Sequence, residues 1–492
     1  MYLSNLINEN THLYKSIEKR PKIEGISLDS REVKKGMIFV ALEGNKLNGI
    51  KFCDEAIAAG SSTILCNEKH LNKISDKKVN ILITKNVKLS MSQIIKKLFP
   101  RQPNNVVAIT GTNGKTSIAF YLKNIWEKNK INGATIGTLG VNYKNKVINT
   151  KLTTPDSLTL HKHIHFLKKQ NINYLAIEAS SHGISQNRIN LVFINRGVFS
   201  SFSRDHLDYH GTIEEYFKSK STLFSQILSK NGVAIINNSC EYGKKIENLC
   251  KKRKIKVITF GGKKSDWVLD NIIFLKSYSN VFISVLGKQY KFRSKLTTYY
   301  QIENLICSMA IANSYKISIS NCIKLVENIK EPPGRLEKII YKKKNSFIYI
   351  DYAHTPIALK KTLNELRKTI KQNGKLLVLF GCGGDRDQGK RKLMGKYAAK
   401  YADKVYITDD NPRYENPEKI RKQIIRFCKG AKEISDRKKA INFAIRKLKK
   451  FDLLLVAGKG HEKYQEIQGK YHFFDDKKIV IDAIKKQESI RC

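Results

Sequence analysis

Acidic side chains are scarce in this sequence: 43 Asp and Glu stand against 91 Lys and Arg in 492 residues, a formal charge of +48. An excess of that size first suggests nucleic acid or an anionic surface as partner. The lysines, however, run along the whole chain instead of gathering in one arm, and Ile and Asn are abundant too. Zinc-finger spacing, an aromatic RNA-binding signature and a basic zipper are all missing, so a global amino-acid bias explains the charge and no nucleic-acid partner is expected. The nine cysteines, Cys53, Cys66, Cys240, Cys250 and Cys382 among them, are nowhere paired at short spacing. That argues against a metal knuckle or redox motif and for reduced cytosolic thiols. No apolar run approaches the ~18 residues that span a bilayer, and Met1-Tyr-Leu-Ser-Asn5 is not a charged leader with an apolar core. Internal repeats and low-complexity tails are likewise absent. The expectation is a cytoplasmic, monomeric protein without membrane insertion, acting on small molecules.

What the sequence does contain is Val106-Val-Ala-Ile-Thr110 followed by Gly111-Thr112-Asn113-Gly114-Lys115-Thr116-Ser117. The β-branched run predicts a buried strand, the glycines a tight turn, and Ser117 to Lys128 has the apolar spacing of a helix. Backbone N–H groups from Gly111 to Lys115, at the positive end of that helix, form a concavity suited to a polyphosphate. Lys115 would reach the terminal phosphates, and the Thr116 hydroxyl is placed to hold Mg2+ bridging phosphate oxygens. The loop is a shortened variant, since the outer glycine expected five residues before Gly114 is Ile109. An ordinary Gly-rich turn is the bland alternative; ATP or GTP binding is the leading one.

Length predicts about three domains. Residues 1–102 read as a small α/β unit: strand, turn and strand over Asp29–Val33 and Gly36–Leu42, then an Ala-rich helix near Cys53 to Gly60. Pro100 to Asn105 is a linker. Over 103–333 short apolar strands such as Tyr174–Glu178 and Gly232–Asn237 alternate with helical patterns, which predicts a mostly parallel, helix-covered sheet. After Pro332-Pro-Gly334, residues 334–492 repeat the alternation with strands at Phe347–Asp351, Lys375–Phe380, Lys404–Thr408 and Leu453–Val456. The fold class is therefore α/β in three domains, with a central phosphate-loop ATPase domain and a C-terminal Rossmann-like parallel sheet.

Several polar clusters close predicted strands, where ligands bind in open α/β sheets. Glu178-Ala-Ser-Ser-His182-Gly183 offers Glu178 to a magnesium shell; its Ser–His pair lacks a nucleophile elbow, so substrate contact is preferred to hydrolysis. Ser203-Arg-Asp-His206-Leu-Asp208-Tyr-His210 is rich in metal-ligating types, with His206 the preferred ligand and a loop of satisfied polar groups the alternative. His161, His163 and His165 read as a solvent-exposed triplet on a helix and are set aside. Asp351-Tyr-Ala-His354, Gly381–Asp387 with Arg386, and Asp409–Arg413 end successive strands, and two arginines at one sheet edge suggest an acidic substrate. Strand-end loops held by local salt bridges are the alternative.

At this point the chain resembles the Mur ligase family nearly end to end. The resemblance rests on Asp29-Ser-Arg31 with Gly36 and Phe39-Val-Ala41, the GTNGKTS loop, Thr153-Thr-Pro-Asp156, EASSHG, RDHLDYHG, Tyr216 to Phe224, PGRLE, DYAHTP, GGDRDQGKR, DNPR and Gly458-Lys-Gly-His-Glu462. It implies a UDP-sugar-binding N-terminal domain, a central ATPase domain and a C-terminal amino-acid domain. The implied reaction activates a carboxylate of a UDP-muramyl peptide as an acyl phosphate, which an amine then attacks to form an amide.

Carried over by position, Lys115, Glu178, His206 and Lys220 resemble the catalytic set. Thr116, Glu178, His206 and Lys220 would hold magnesium, Lys220 as a carbamate that turns a cation into an oxygen ligand. Asn304, Arg335, Asp351 and His354 resemble residues that join Gly111 to Ser117 in holding ATP, although Thr298–Asn304 departs from the usual Gly-x-Phe-Asn. Leu28, Ser30, Asn45, Lys46, Leu47, Thr153, Thr154, Ser180, Gln186 and Arg188 resemble the UDP-sugar-peptide contacts. Asp410-Asn411-Pro412-Arg413 is similar to the form in members that add meso-diaminopimelate, with Arg386, Gly458 and Glu462 completing the pocket. A guanidinium at 413 suits the distal carboxylate that lysine lacks. A lysine-adding or folylpolyglutamate-type sister, and a basic nucleic-acid-binding ATPase, are the alternatives.

Overall fold

The computed structural model describes residues 1–43, 48–74, 77–275, 278–370 and 373–489. Three main sheets take their strands from 12–84, 105–294 and 337–457. The first has five strands in the order His12–Lys15, Asn80–Thr84, Thr63–Asn67, Met37–Val40, Gly25–Ser27, parallel except at the His12 edge. The strand expected over 29–33 is displaced to Gly25–Ser27, and Ser30–Glu32 forms a 3-10 turn. Asp29 accepts a hydrogen bond from the Arg31 backbone N–H, a local closure that favours a turn over a ladder.

The central sheet has eleven strands, and the phosphate-loop strand Asn105–Thr110 lies inside it between Tyr174–Glu178 and Ile194–Phe199, parallel to both. Val106 to Thr110 are buried, as a continuous apolar run must be when helices cover both faces. One face packs Lys115–Lys128 against Tyr299–Ser314, where Ser308 Oγ donates to Ile118 O at 3.1 Å. On the other face lies Ser157–Lys169, whose buried residues include Leu160, His161, Ile164 and Leu167. His161 is therefore not part of an exposed triplet. Its Nδ1 lies 2.8 Å from Ser157 O, which satisfies one ring nitrogen inside the protein.

In the third sheet the order is Glu337–Tyr341, Ser346–Asp351, Leu453–Ala457, Leu376–Phe380, Lys404–Ile407, Lys432–Glu433, parallel beyond its antiparallel first pair. The start of helix Tyr299–Ser314 in the central unit touches it, the Tyr299 N–H donating to Glu365 Oε2 and Gln301 Nε2 to Arg335 O, both at 3.2 Å. These contacts bring the carboxyl ends of two sheets towards one crevice. Among the described residues no helix is long and apolar enough to cross a membrane, and the eight described cysteines are free.

One buried ion pair closes the third sheet. Arg437 donates from Nε and Nη2 to the two Asp476 oxygens at 2.8 and 2.7 Å, and from Nη2 to Ala457 O at 2.9 Å, with both side chains fully buried. Arg437→Leu leaves the Asp476 carboxylate buried without its partner, so we expect a loss of about 3–5 kcal/mol. A thermal melt of the variant will show a lowered transition for this unit; an unchanged melt would mean that the pair adds nothing.

Candidate active site

The phosphate loop is held open from behind. Ser200 Oγ donates to Asn113 O at 2.6 Å and Ser201 Oγ to the same carbonyl at 3.1 Å, while Thr112 Oγ1 donates to Ser203 O. Gly111 and Gly114 have φ of 143° and 92°, in the region that disfavours a side chain. A Cβ on Gly114 would sit 2.6 Å from Asn304 Oδ1. Asn304 thus lies against the loop despite the departure of its sequence neighbourhood.

Two lysines converge on one carbonyl. Lys115 Nζ donates to Gly111 O at 2.9 Å and to Thr112 O at 3.0 Å, and Lys220 Nζ donates to Gly111 O at 2.8 Å. Lys220 is 1% exposed. Burial, with the Lys115 charge acting in the same direction and Asp205 opposing, pushes its ammonium well below lysine's ordinary value. Lys115 is lowered as well, first by desolvation and then by Arg335, against the pull of Glu178 and Asp205. A lysine so placed is biased towards the neutral amine.

Glu178, 2% exposed, accepts from Thr116 Oγ1 at 2.8 Å, from the Thr138 N–H at 2.8 Å and from Thr138 Oγ1 at 3.1 Å. These neighbours supply hydroxyls and an amide, and among the described residues the carboxylate has no contact ion pair. Gly137 makes room for it, because a Cβ there would meet Glu178 Oε1 at 2.1 Å. Gly137→Ala must displace that oxygen. A shift near 1 Å at a reacting centre costs on the order of 100-fold, and we expect a kcat loss of that size, with a stability loss of no more than about 1–3 kcal/mol from the overpacking. Normal phosphate release by the variant would mean that Glu178 need not stand where it does.

The same carboxylate begins a second network. Thr138 Oγ1 is 3.2 Å from Thr153 Oγ1; Thr154 Oγ1 donates to Glu178 O at 2.7 Å and is 2.9 Å from Ser180 Oγ. Arg188 Nη1 donates to Thr154 O at 2.6 Å, its Nε to Gln186 Oε1 at 3.1 Å, and Gln186 Nε2 to Tyr209 OH at 3.0 Å. Five expected residues, Thr153, Thr154, Ser180, Gln186 and Arg188, thus belong to one connected network beside the phosphate loop, with Thr154 buried within it. Ser30 is elsewhere, donating to Glu55 Oε2 at 2.8 Å in the N-terminal unit, and Leu28 packs on the core that includes Leu158. Asn45, Lys46 and Leu47 lie outside the described residues.

His206, at φ 52°, follows Asp205 in the loop docked on Thr112, its ring 5.0 Å from that of His182. Across the crevice Asp351 is buried and accepts from the Leu336 N–H at 2.7 Å and the Ala353 N–H at 3.0 Å. Arg335 stacks 4.6 Å over the Tyr352 ring, and His354 lies 4.5 Å from that ring. Among the described residues no three His, Cys, Asp or Glu side chains are grouped so as to hold a metal ion. Thr116 and Glu178 nevertheless present adjacent hard oxygens, which suits magnesium completed by phosphate and water.

At the far end of the crevice, Asn411 Nδ2 donates to Glu462 Oε2 at 3.0 Å, and Lys459 Nζ, fully buried, donates to Asn411 Oδ1 at 2.8 Å. Gly458, φ 112°, leaves space for Asp410, whose Oδ2 a Cβ would approach to 2.5 Å. Burial acts to raise the Asp410 carboxyl, but Lys459, Arg437 and Lys390 outweigh it and leave it below the ordinary range; at Glu462 burial prevails and raises it. The Pro412 carbonyl lies where a Cβ on Gly384 would be, and Arg413 Nη1 donates to Gly384 O at 2.8 Å. Arg386 is exposed beside Gly383. Sequence reasoning did not single out Thr138, Ser200, Asp205 or Lys459 as site residues. Asp205 and Lys459 both stand inside quoted motifs and were within reach.

A phosphate loop at the parallel centre of a mixed sheet, facing a second, mostly parallel sheet across a crevice, defines a nucleotide-spending enzyme. Family models match residues 22–99 (Mur ligase family, catalytic domain), 109–312 (Mur ligase middle domain) and 334–460 (Mur ligase, glutamate ligase domain). Curated relatives named UDP-N-acetylmuramoyl-L-alanyl-D-glutamate–2,6-diaminopimelate ligase include those of Rickettsia montanensis, 38% identical over 481 residues, and Bradyrhizobium diazoefficiens, 37% over 468. They cover 96% and 94% of this chain and 98% and 95% of their own. A solved structure of an enzyme with that name superposes with a TM-score of 0.68 at 31% identity, over 96% of this chain and 97% of the other. The MurF ligase of Thermotoga maritima, solved with ADP, shares the fold with a TM-score of 0.66 at 18% identity, over 96% and 99%. The chain belongs to the Mur ligase family. It is an ATP-dependent ligase acting on small-molecule substrates.

Proposed function

We propose that this enzyme adds meso-diaminopimelate to UDP-N-acetylmuramoyl-L-alanyl-D-glutamate, in the cytoplasm and as a monomer, through an acyl-phosphate intermediate. The observation that carries the reading is the pocket at the end of the third sheet. One fixed guanidinium, Arg413, shares it with the Asn411–Glu462–Lys459 cluster and with Asp410. Such a site recognises an amino acid with an additional carboxylate. The relatives at 37–38% identity carry the same substrate in their names.

In this reading residues 1–102 bind the UDP-sugar with Leu28, Ser30, Asn45, Lys46 and Leu47. Residues 103–333 spend the ATP, and 334–492 hold the amino acid. Gly111 to Ser117 and Asn304 cradle the phosphates, with Arg335, Asp351 and His354 closing from the third unit. Thr153, Thr154, Ser180, Gln186 and Arg188 orient the acceptor so that its carboxylate meets the terminal phosphate. Carboxylate is a poor electrophile, and phosphorylation replaces oxide with a far better leaving group. Most of what these residues do is align two anions and offset their charge.

Thr116, Glu178, His206 and a carbamylated Lys220 would hold the magnesium, whose contribution is to offset negative charge on the transferring phosphate. A buried amine biased towards neutrality supports carbamylation, because only the free lone pair attacks carbon dioxide. Arg386, Asp410, Asn411, Pro412, Arg413, Gly458 and Glu462 hold the incoming amino acid, with Glu462 accepting from an ammonium group.

The test is phosphate release by purified protein with ATP, magnesium and the UDP-muramyl dipeptide, supplied with meso-diaminopimelate or L-lysine in parallel. Release with diaminopimelate alone is expected. Release only with lysine would keep the ligase chemistry and discard the Arg413 reading; silence with both would discard the acceptor as well.

A further inference from the structure

Beside the amino-acid pocket a two-stranded hairpin, Tyr464–Ile467 with Lys470–Phe473, runs along the Asp410–Arg413 loop and grips it residue by residue. Gln465 Nε2 donates to Asp410 O at 2.7 Å, and the Glu466 N–H donates to Asn411 Oδ1 at 3.0 Å. The Arg413 N–H donates to Glu466 O at 3.1 Å, and Arg413 O accepts from the Gln468 N–H at 2.9 Å. Arg413 itself adopts φ 52°, a conformation that a non-glycine residue keeps only where its surroundings hold it. The same hairpin also takes hold of the side chain. Arg413 Nε donates to Glu466 Oε2 at 2.9 Å, with both side chains largely buried, while Nη1 donates to Gly384 O at 2.8 Å.

A guanidinium has five N–H donors in a rigid fork. Glu466 takes the one on Nε and Gly384 takes one on Nη1, so the rest lie on the terminal nitrogens. Building on the diaminopimelate reading, we infer that Glu466 is the positioning residue that selects the edge Arg413 presents. Held by Nε, the fork offers its terminal edge, end-on, to the distal carboxylate of the amino acid. Without that hold only the Nη1 bond to Gly384 O remains, the fork can pivot about it, and the bidentate match that rejects lysine is weakened. Gly383 belongs to the same arrangement, since a Cβ there would come within 2.9 Å of Arg413 Nη1. Arg386, on the neighbouring loop, is exposed, whereas the Arg413 side chain is largely buried.

Steady-state kinetics of the wild type, Glu466→Ala and Glu466→Gln, with meso-diaminopimelate and with L-lysine, test this directly. Glu466→Ala should raise the diaminopimelate KM by about 10- to 100-fold, with kcat within about threefold, and lower the diaminopimelate-to-lysine ratio of kcat/KM by at least about tenfold. ATP KM and the melting temperature should stay near wild type. Glu466→Gln keeps an oxygen that accepts from Nε and should remain within about threefold of wild type. A lower diaminopimelate KM in Glu466→Ala would overturn the inference, because Glu466 would then be competing with the ligand. Parallel losses for both amines and for ATP, with a lowered melt, would overturn it too, leaving the hairpin as a prop. Wild-type turnover of diaminopimelate with an unchanged ratio in Glu466→Ala removes the inference alone; a wild type inactive with diaminopimelate removes the substrate reading together with it.

Discussion

Lys220→Ala is expected to lower ATP-driven ligation by about 1,000-fold, the scale of losing one preorganised charge-stabilising group at a phosphoryl-transfer site. The argument begins with burial. Lys220 points into the protein at the Gly111 carbonyl, shares that oxygen with Lys115, and is driven towards its neutral form. A neutral amine adds carbon dioxide, forming the N–C bond, releasing a proton and leaving a carboxylate where a cation stood. Falling pH protonates the amine and works against that addition, so activity should fall on the acid side and bicarbonate should restore it in carbon-dioxide-depleted samples. Carbon-13 spectra after labelling with bicarbonate supply the second readout: a carbamate resonance in the wild type that disappears in the variant. Near-normal rates in Lys220→Ala would remove the residue from the chemistry. Loss of activity without any carbamate signal in the wild type would leave Lys220 as a support for the phosphate loop.

Arg413→Ala should have the largest effect on amine choice. Polar-group discriminations of this kind reach about 10,000-fold, because a buried donor left without its acceptor penalises the analogue. We expect kcat/KM for diaminopimelate to fall by about 1,000- to 10,000-fold, that for lysine to hold or rise as the unpaired donor is removed, and the ATP KM to stay within about twofold. Equal losses for the two amines would undo the assignment. Arg413 and Glu466 fail differently: removing the fork abolishes the carboxylate contact, whereas removing its holder weakens it and leaves the Gln variant competent.

The order strand, glycine loop, helix around Lys115 was legible because all three signals are local, and the structure has that order over Asn105–Lys128. The alternation of short strands and helices likewise gave the α/β class and the parallel strand pairs, but not the antiparallel strands that flank the central sheet at both edges. Where the reading slipped, a local competitor was responsible. The Asp29 side chain closes a turn on the Arg31 N–H, so the strand moved to 25–27. His161 reads as polar on a helix, yet its buried ring lies against the carbonyl four residues back, which no periodicity count can show. The partners that define the site are separated by long stretches of chain. Glu178 meets Thr116 from 62 positions away, Lys220 reaches Gly111 across 109, and Glu466 reaches Arg413 across 53. Nothing in the spacing of lysines distinguishes Lys220 in a chain with 91 basic residues; only the resemblance singled it out, and only the fold showed it buried. Asn304 is the converse case. Its neighbourhood departs from the family pattern, yet helix packing brings its amide to Gly114.

Glu178 carries one further consequence. One carboxylate accepts from Thr116, on the phosphate loop, and from Thr138, whose hydroxyl neighbours Thr153 on the surface proposed for the acceptor. A ligand that pulls on either threonine changes what the other can donate to. Thermodynamic linkage then makes the effect mutual: whatever factor the nucleotide applies to acceptor affinity, the acceptor applies to nucleotide affinity. Glu178 is thus the side chain through which an effect at Thr116 reaches Thr138, and its sign is read by measuring nucleotide affinity with and without the acceptor.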